Sequence, residues 1–130
     1  MKKAITTNIL ILVLLLSFTS VFASGQNEKE YSKVENNLLV GLNTDNQGLQ
    51  LSSAYYLGEI KSDKAIIPLM SVLHNSKSDA SRQAAALALY KIDSPRGMHA
   101  IKKAITFDDN EQTRRLCKIL YNKQLSKVRS

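Results

Sequence analysis

Ser81-Arg82-Gln83-Ala84-Ala85-Ala86-Leu87-Ala88-Leu89-Tyr90-Lys91-Ile92 decides the fold. Ala84, Ala85, Ala88, Leu89 and Ile92 follow the i, i+1, i+4, i+5, i+8 spacing that lines one face of a helix. Most of them are small, so a second helix can approach closely. Displaced by 32 residues, the chain meets itself. Ala54-Tyr55-Tyr56-Leu57 falls on Ala86-Leu87-Ala88-Leu89, Ile60 on Ile92, Ser62 on Ser94, Leu69 on Ile101 and Leu73 on Ile105. One further displacement puts Arg82 on Arg114, Ala85 on Cys117, Ala88 on Leu120 and Leu89 on Tyr121. Apolar meets apolar across both steps, and a period of this length is the mark of a solenoid.

Each unit holds two helices. One spans Gln47–Ile60, then Asp79–Ile92, then Asp109–Gln124. Its apolar stripe is Ser53, Tyr56, Leu57 and Ile60 in the first copy and Leu116, Cys117, Leu120, Tyr121 and Leu125 in the third. The other helix spans Asp63–Leu73, then Pro95–Ile105, with stripes Ala65, Ile66, Leu69, Val72, Leu73 and Met98, Ile101, Ala104, Ile105. Ser62 and Ser94 stand where a hydroxyl caps the first free N–H groups. Pro95 then takes the first helical position, where its missing N–H costs nothing. Val34, Leu38, Gly41 and Leu42 begin an incomplete earlier copy. The links Asn43–Asn46, His74–Ser78 and Thr106–Asp108 are short and polar, which forces neighbouring helices antiparallel. No stretch alternates apolar and polar over the length of a strand.

The residues from Ser81 to Ile92 resemble the second helix of a HEAT-like repeat of the phycobilisome-lyase type. So does Ser52-Ser53-Ala54-Tyr55-Tyr56-Leu57-Gly58-Glu59-Ile60, with its Leu-Gly-Glu-Ile ending. Lys64-Ala65-Ile66-Ile67-Pro68-Leu69 resembles the outer helix, and Asp108-Asp109-Asn110-Glu111-Gln112-Thr113-Arg114-Arg115 resembles the turn and arginine that open an inner helix. The resemblance covers Val34 to Gln124. Gln50 departs from the pattern where arginine is usual, and Tyr90 and Asn122 stand where Gly58 is glycine. The resemblance implies an all-α fold: a short right-handed α-solenoid of about three helical hairpins with a concave inner surface. It implies protein binding as the default role, and fold alone implies no enzyme.

The N-terminus is set apart from that domain. Lys2 and Lys3 precede the apolar run Ile9–Leu16, and Val21-Phe22-Ala23 supplies a cleavage pattern. The run is shorter than a span of about 20 residues, so 1–23 reads as a cleaved signal peptide, with an uncleaved anchor as the alternative. The expected organisation is 1–23 signal peptide, 24–29 polar leader, 30–125 repeat domain and 126–130 basic tail. Export to the periplasm or the extracellular space follows, and no stable membrane span remains after cleavage.

Of 130 residues, 18 are basic and 11 acidic. The imbalance is uneven: residues 24–63 sum to −3 and residues 64–130 to +8. A basic surface favours acidic partners. Export argues against nucleic acid as the partner. The single Cys117 excludes an intrachain disulfide, so the apolar core must hold the domain. Its stripe position makes it a small buried hydrophobe, with an intermolecular disulfide as the alternative. Tryptophan is absent and aromatics are few, which is lean for a deep ligand pocket.

No HExxH, CxxC, GxSxG or glycine-rich phosphate loop occurs. His74 and His99 share no helix face with each other or with a carboxylate, so no metal or cofactor is expected. Asp108, Asp109 and Glu111 cluster at a helix start, where carboxylates complement the helix dipole. Arg82 and Arg114 match the repeat's inner arginine, a bridge between neighbouring repeats.

The candidate binding residues lie on the other side of the inner helices. Leu51, Tyr55 and Gly58 have the mates Gln83, Leu87, Tyr90 and then Arg115, Ile119, Asn122. The resemblance places this ladder on the concave side. Leu51, Tyr55, Leu87, Tyr90, Arg115 and Ile119 then form an apolar strip beside basic charge, as in a protein-binding groove. The alternative is that these side chains pack between repeats. The leading functional reading is an exported, non-enzymatic module that grips a protein partner, acidic in character. The competitors are a bilin-lyase-like enzyme or accessory subunit sharing the repeat, and a nucleic-acid-binding HEAT-like protein, which Arg114, Arg115, Lys118, Lys123, Lys102 and Lys103 support weakly. Three repeats are few for a solenoid, which leaves self-association through the repeat ends open.

Overall fold

The computed structural model describes residues 27–129. The expected signal peptide, 1–23, and the start of the leader lie outside the described residues. The chain divides into two compact units, Met1–Val34 and Glu35–Ser130. The described part of the first, residues 27–34, is helical. The second holds the repeats.

Each helix of the second unit begins at a residue with a reason to begin it. Residues 35–42 form α1. Helix α2 (Gln47–Glu59) starts behind Asn46, whose side chain accepts from the Leu49 N–H. A 3₁₀ turn over Asp63–Ala65 leads into α3 (Ile66–Asn75). Ser78 caps α4 (Asp79–Ile92) through the Ser81 N–H. Ser94 caps α5 (Pro95–Phe107) through the Gly97 N–H, with Pro95 at its start. Helix α6 (Glu111–Arg129) opens where Asn110 accepts from the Thr113 N–H at 2.9 Å. These caps satisfy N–H groups that the helix itself leaves free. Ser62 departs from expectation. It caps nothing; its buried hydroxyl donates instead to Glu35 Oε1 at 2.6 Å.

Helix ends are also chemical. Lys61 and Asp93, one period apart, both take left-handed backbone, with φ of 51° and 60°. Such residues break the helical path and turn the chain back. The matching position in α6, Leu125, stays helical, and α6 runs on to Arg129, past the expected Gln124.

The elements pair as three hairpins: α1 with α2, α3 with α4, α5 with α6. Helix α4 packs against α2, α3, α5 and α6, so it is the centre of the unit. Helices α2, α4 and α6 lie side by side in that order, and α3 lies against α5 behind them. Every regular element among the described residues is helical, and the fold is an all-α solenoid of helical repeats.

Large side chains fill the space between layers: Leu42, Leu57, Leu69, Val72, Leu73, Leu89, Ile92, Ile101 and Leu120. Burying each contributes about 1.5–3 kcal/mol. Small residues set the spacing within the layer of α2, α4 and α6, where Ala54, Gly58, Ala85, Ala86 and Ala88 are buried. A Cβ on Gly58 would stand 2.8 Å from the Ala88 Cα, so α2 and α4 approach as closely as glycine permits. Three positions correct the sequence reading. Tyr56, placed on the buried stripe, is more than half exposed, and Ala54 takes its place in the core. Gly58, placed on the outward ladder, is buried. In the earliest copy Val34 is half exposed while Glu35 is buried.

Candidate functional site

Side-chain bonds between neighbouring repeats tie α2, α4 and α6 together. Gln47 donates to Ser78 at 2.7 Å, Asn110 to Asp79 at 2.7 Å and Gln83 to Thr113 at 3.3 Å. At the far ends Lys91 pairs with Glu59, and Gln124 donates to Asp93. The partners are 30 to 32 residues apart, so each bond spans one repeat. The layer is therefore a rigid platform rather than three independent rods.

Arg82 joins the platform to the turn behind it. Its guanidinium donates to both oxygens of Asp108, to the Ser76 carbonyl at 2.8 Å and to Asp79 at 2.6 Å. The hydrogen-bonded carboxylate of Asp108 raises the Arg82 pKa further. Arg114, one period on, donates to the Asp108 and Asp109 carbonyls at 2.7 and 3.0 Å. Both arginines thus fix the turns that space the repeats.

The face that the platform turns to solvent carries one continuous apolar column. Tyr55, Leu87 and Ile119 are equivalent positions on three adjacent helices, exposed by 54%, 41% and 63%. Other large apolar side chains of the chain are exposed too; what sets these three apart is that they occupy one row of the repeat on adjacent helices. The flanking ladder positions behave differently, because they lean toward the next helix. Leu51 and Gln83 are half-buried, and Gln83 is engaged with Thr113. Gly58 lies under α4. Tyr90 is half-buried, with the ammonium groups of Lys127 and Lys123 at 4.6 and 6.0 Å from its ring centre. Arg115 is exposed and pairs with Glu111 on its own helix at 2.6 Å. So Tyr55, Leu87 and Ile119 form the column, Tyr90 and Leu51 border it, and Arg115 stands at its edge.

Lysines border the column as well: the sequence reading expects basic charge beside the strip and names Lys123, but it singles out neither Lys91 nor Lys127. The Lys91 ammonium lies 4.7 Å above the Tyr55 ring while it pairs with Glu59. Lys123 and Lys127 cover Tyr90. Such contacts contribute about 0.5–1 kcal/mol each at exposed sites. The signal is present in the sequence: extending the 32-residue register by one row aligns Glu59, Lys91 and Lys123. A cleft of about 290 Å³ opens among Gly58, Lys61, Tyr90, Lys91, Asp93 and Lys127, at the ends of α2 and α4.

No reaction centre assembles among the described residues. His74 and His99 are exposed on α3 and α5. Among the described residues no group of three or more His, Cys, Asp or Glu could hold a metal ion. Cys117 is buried and free, and burial, with a smaller contribution from the Asp108 charge, pushes its thiol up to about 11. No helix among the described residues is long and apolar enough to cross a membrane.

A family model described as HEAT repeats matches residues 35–120. That span holds the whole platform through Leu120, including Tyr55, Leu87 and Ile119. No curated protein matches the chain.

Proposed function

We propose a function from one premise: the chain belongs to the HEAT-repeat family. HEAT repeats in general mediate contacts between proteins, and proteins built from them are typically scaffolds without enzymatic activity. On our reading this chain is an exported adaptor that grips a protein partner across the solvent face of α2, α4 and α6. The observation that carries the reading is the exposed column Tyr55, Leu87 and Ile119, held in register on a bonded platform. Aromatic and aliphatic side chains in such a row are suited to act as anchors. The residues around Leu57-Gly58-Glu59-Ile60 support the phycobilisome-lyase type of repeat. The segment 1–23, read as a signal peptide, supports export to the periplasm or beyond the cell. A non-enzymatic role is supported by membership of a family whose proteins are typically scaffolds.

The test compares the chain with a Tyr55→Asp/Leu87→Asp version as bait in an envelope extract. Both must first give the same helical circular dichroism and melting. A partner retained by the wild type alone supports the reading. Unfolding of the double variant would make those residues core, and equal retention by both would move binding off this face.

A further inference from the structure

The charges beside the apolar column are not balanced, and the imbalance has a direction. The net charges of α2, α4 and α6 are −1, +1 and +5 in that order. Every carboxylate on these helices is already engaged within the chain: Glu59 by Lys91, Asp79 by Arg82, Glu111 by Arg115. Asp93, just beyond α4, accepts from Gln124. The acids of the platform are spoken for, whereas Lys123, one turn beyond Ile119 on the same helix face, meets no carboxylate among the described residues. The surplus is therefore cationic, and it sits beside Ile119 rather than beside Tyr55.

We propose that the occupant of this face is an acidic amphipathic helix of a partner protein, lying across α2, α4 and α6 with its carboxylates over α6. This rests on the reading of the column as a binding face. The spacing favours a helix. Adjacent packed helices lie about 8–10 Å apart, so Tyr55, Leu87 and Ile119 recur at about that interval. A helix rising 1.5 Å per residue meets it with apolar residues at i, i+7 and i+14. A β-strand covers the same interval in about three residues, and an odd step turns alternate side chains away. Carboxylates near the last anchor would then reach Lys123 and Lys127. Like charge there would be repelled, which sets the direction of the bound helix.

The experiment uses fluorescent helical peptides of about 20 residues with leucine at i, i+7 and i+14. One carries glutamates in the half around the last leucine, a second carries lysines there, and a third has the glutamates with serines for leucines. Anisotropy of these peptides and of a labelled single-stranded oligonucleotide is read against the chain and its Lys123→Glu/Lys127→Glu, Ile119→Ser and Leu87→Asp versions. The glutamate peptide is expected to bind at least about tenfold tighter than the lysine peptide. The double charge reversal should invert that order, and both Ile119→Ser and the serine peptide should weaken binding. Equal or tighter binding of the lysine peptide overturns the proposal, as does tighter binding of a single-stranded oligonucleotide or no binding of any peptide. If both charged peptides bind alike and Leu87→Asp abolishes both, the acidic occupant fails while the binding face stands. If the charge preference survives Leu87→Asp and Ile119→Ser, the face itself is wrong and the proposal falls with it.

Discussion

Arg82 grips Asp108 with two parallel hydrogen bonds, Nε to Oδ2 at 2.9 Å and Nη2 to Oδ1 at 3.1 Å. The residues lie 26 positions apart, on the central helix α4 and on the turn before α6. The pair is nearly removed from water, with side chains 11% and 4% exposed. A planar fork meeting a carboxylate in this way fixes orientation as well as distance. Asp108 also accepts from the Asn110 N–H, at 2.9 Å, so the same carboxylate shapes the turn from which α6 starts.

Asp108→Ala leaves a buried guanidinium with fewer acceptors. Breaking one side of such a pair costs about 3 kcal/mol, because the remaining charge stays desolvated. The expected outcome is a Tm lowered by more than about 10 °C for a unit of this size. Arg82→Lys keeps the charge but loses the fork, so it should recover little of the Arg82 contribution. Thermal unfolding of both variants decides this, and a wild-type Tm for Asp108→Ala would show that the turn holds without the pair.

Gly58 and Ala88 stand at a close approach of α2 and α4. A methyl group on Gly58 would meet the Ala88 Cα at 2.8 Å and its Cβ at 3.0 Å. Since one of those atoms is backbone, the helices themselves must separate. Gly58→Ala is therefore expected to destabilise by about 1–3 kcal/mol, in spite of alanine's better helix propensity. Adding Ala88→Gly removes the side-chain methyl and leaves the backbone of α4 in the way, so it should not rescue. Urea denaturation of the single and double variants measures both expectations, and full rescue would mean that only the side chain was in the way.

The 32-residue period is enough to place α2, α4 and α6 and to pair α3 with α5, because the stripes that recur in sequence are the ones that pack. What the period does not show is where the array stops. Tyr56 occupies the position of Ala88, which packs on Gly58; among the described residues α2 has a neighbour in its layer only on the α4 side, so Tyr56 meets no inner helix there. Lys118 occupies the position of the buried Ala54 and Ala86, and it is exposed, since among the described residues α6 has a neighbour in its layer only on the α4 side. The hydrogen bond from Ser62 to Glu35 spans 27 residues and follows no periodic rule, so in sequence Ser62 looks like a local cap. The column Tyr55, Leu87, Ile119 is legible as one row of a ladder. The same register aligns Lys91 and Lys123, but a charged row in sequence looks the same as a solvated face, so their contacts with the tyrosine rings are not legible there.

Ser81 is fully buried, and its hydroxyl has no hydrogen-bond partner among the described residues. Its N–H is held by Ser78 at 3.2 Å, a bond that does not involve the side chain. Ser81→Ala therefore removes an unsatisfied polar atom and leaves the cap intact. The variant is expected to be more stable by about 1 kcal/mol, which the shift in urea midpoint at unchanged slope would report. A clear loss of stability instead would mean that the hydroxyl is satisfied in solution.

Cys117 should be almost inert in the folded chain. Its thiol is buried and pushed up to about 11, so the thiolate that reacts is scarce near neutral pH. At about pH 8, alkylation by iodoacetamide is expected to run at least about a hundredfold slower folded than in denaturant. Mass spectrometry of timed samples measures the ratio. Comparable rates, or a disulfide-linked dimer in non-reducing gels, would show the thiol to be open.

Glu35 gives the fold a defined dependence on acid. Its carboxylate accepts from Lys64 Nζ at 2.7 Å and from the Ser62 hydroxyl at 2.6 Å, which together hold its pKa below the ordinary value of 4.5 against the opposing effect of burial. Protonating this group is therefore harder in the folded chain than in the unfolded one. The stability it contributes is complete above the ordinary carboxylate range and is lost as pH falls through the depressed folded value. Glu35→Gln removes the titration and leaves an amide oxygen that still accepts from Ser62. At about pH 7 the variant should melt below the wild type, and the two curves should draw together as the pH falls through the depressed folded value and the wild-type carboxylate takes up its proton. Melting temperatures at several pH values across that window check the sign directly. Curves that stay parallel would show that Glu35 contributes nothing through its charge, and a widening gap at low pH would reverse the direction assigned to its pKa.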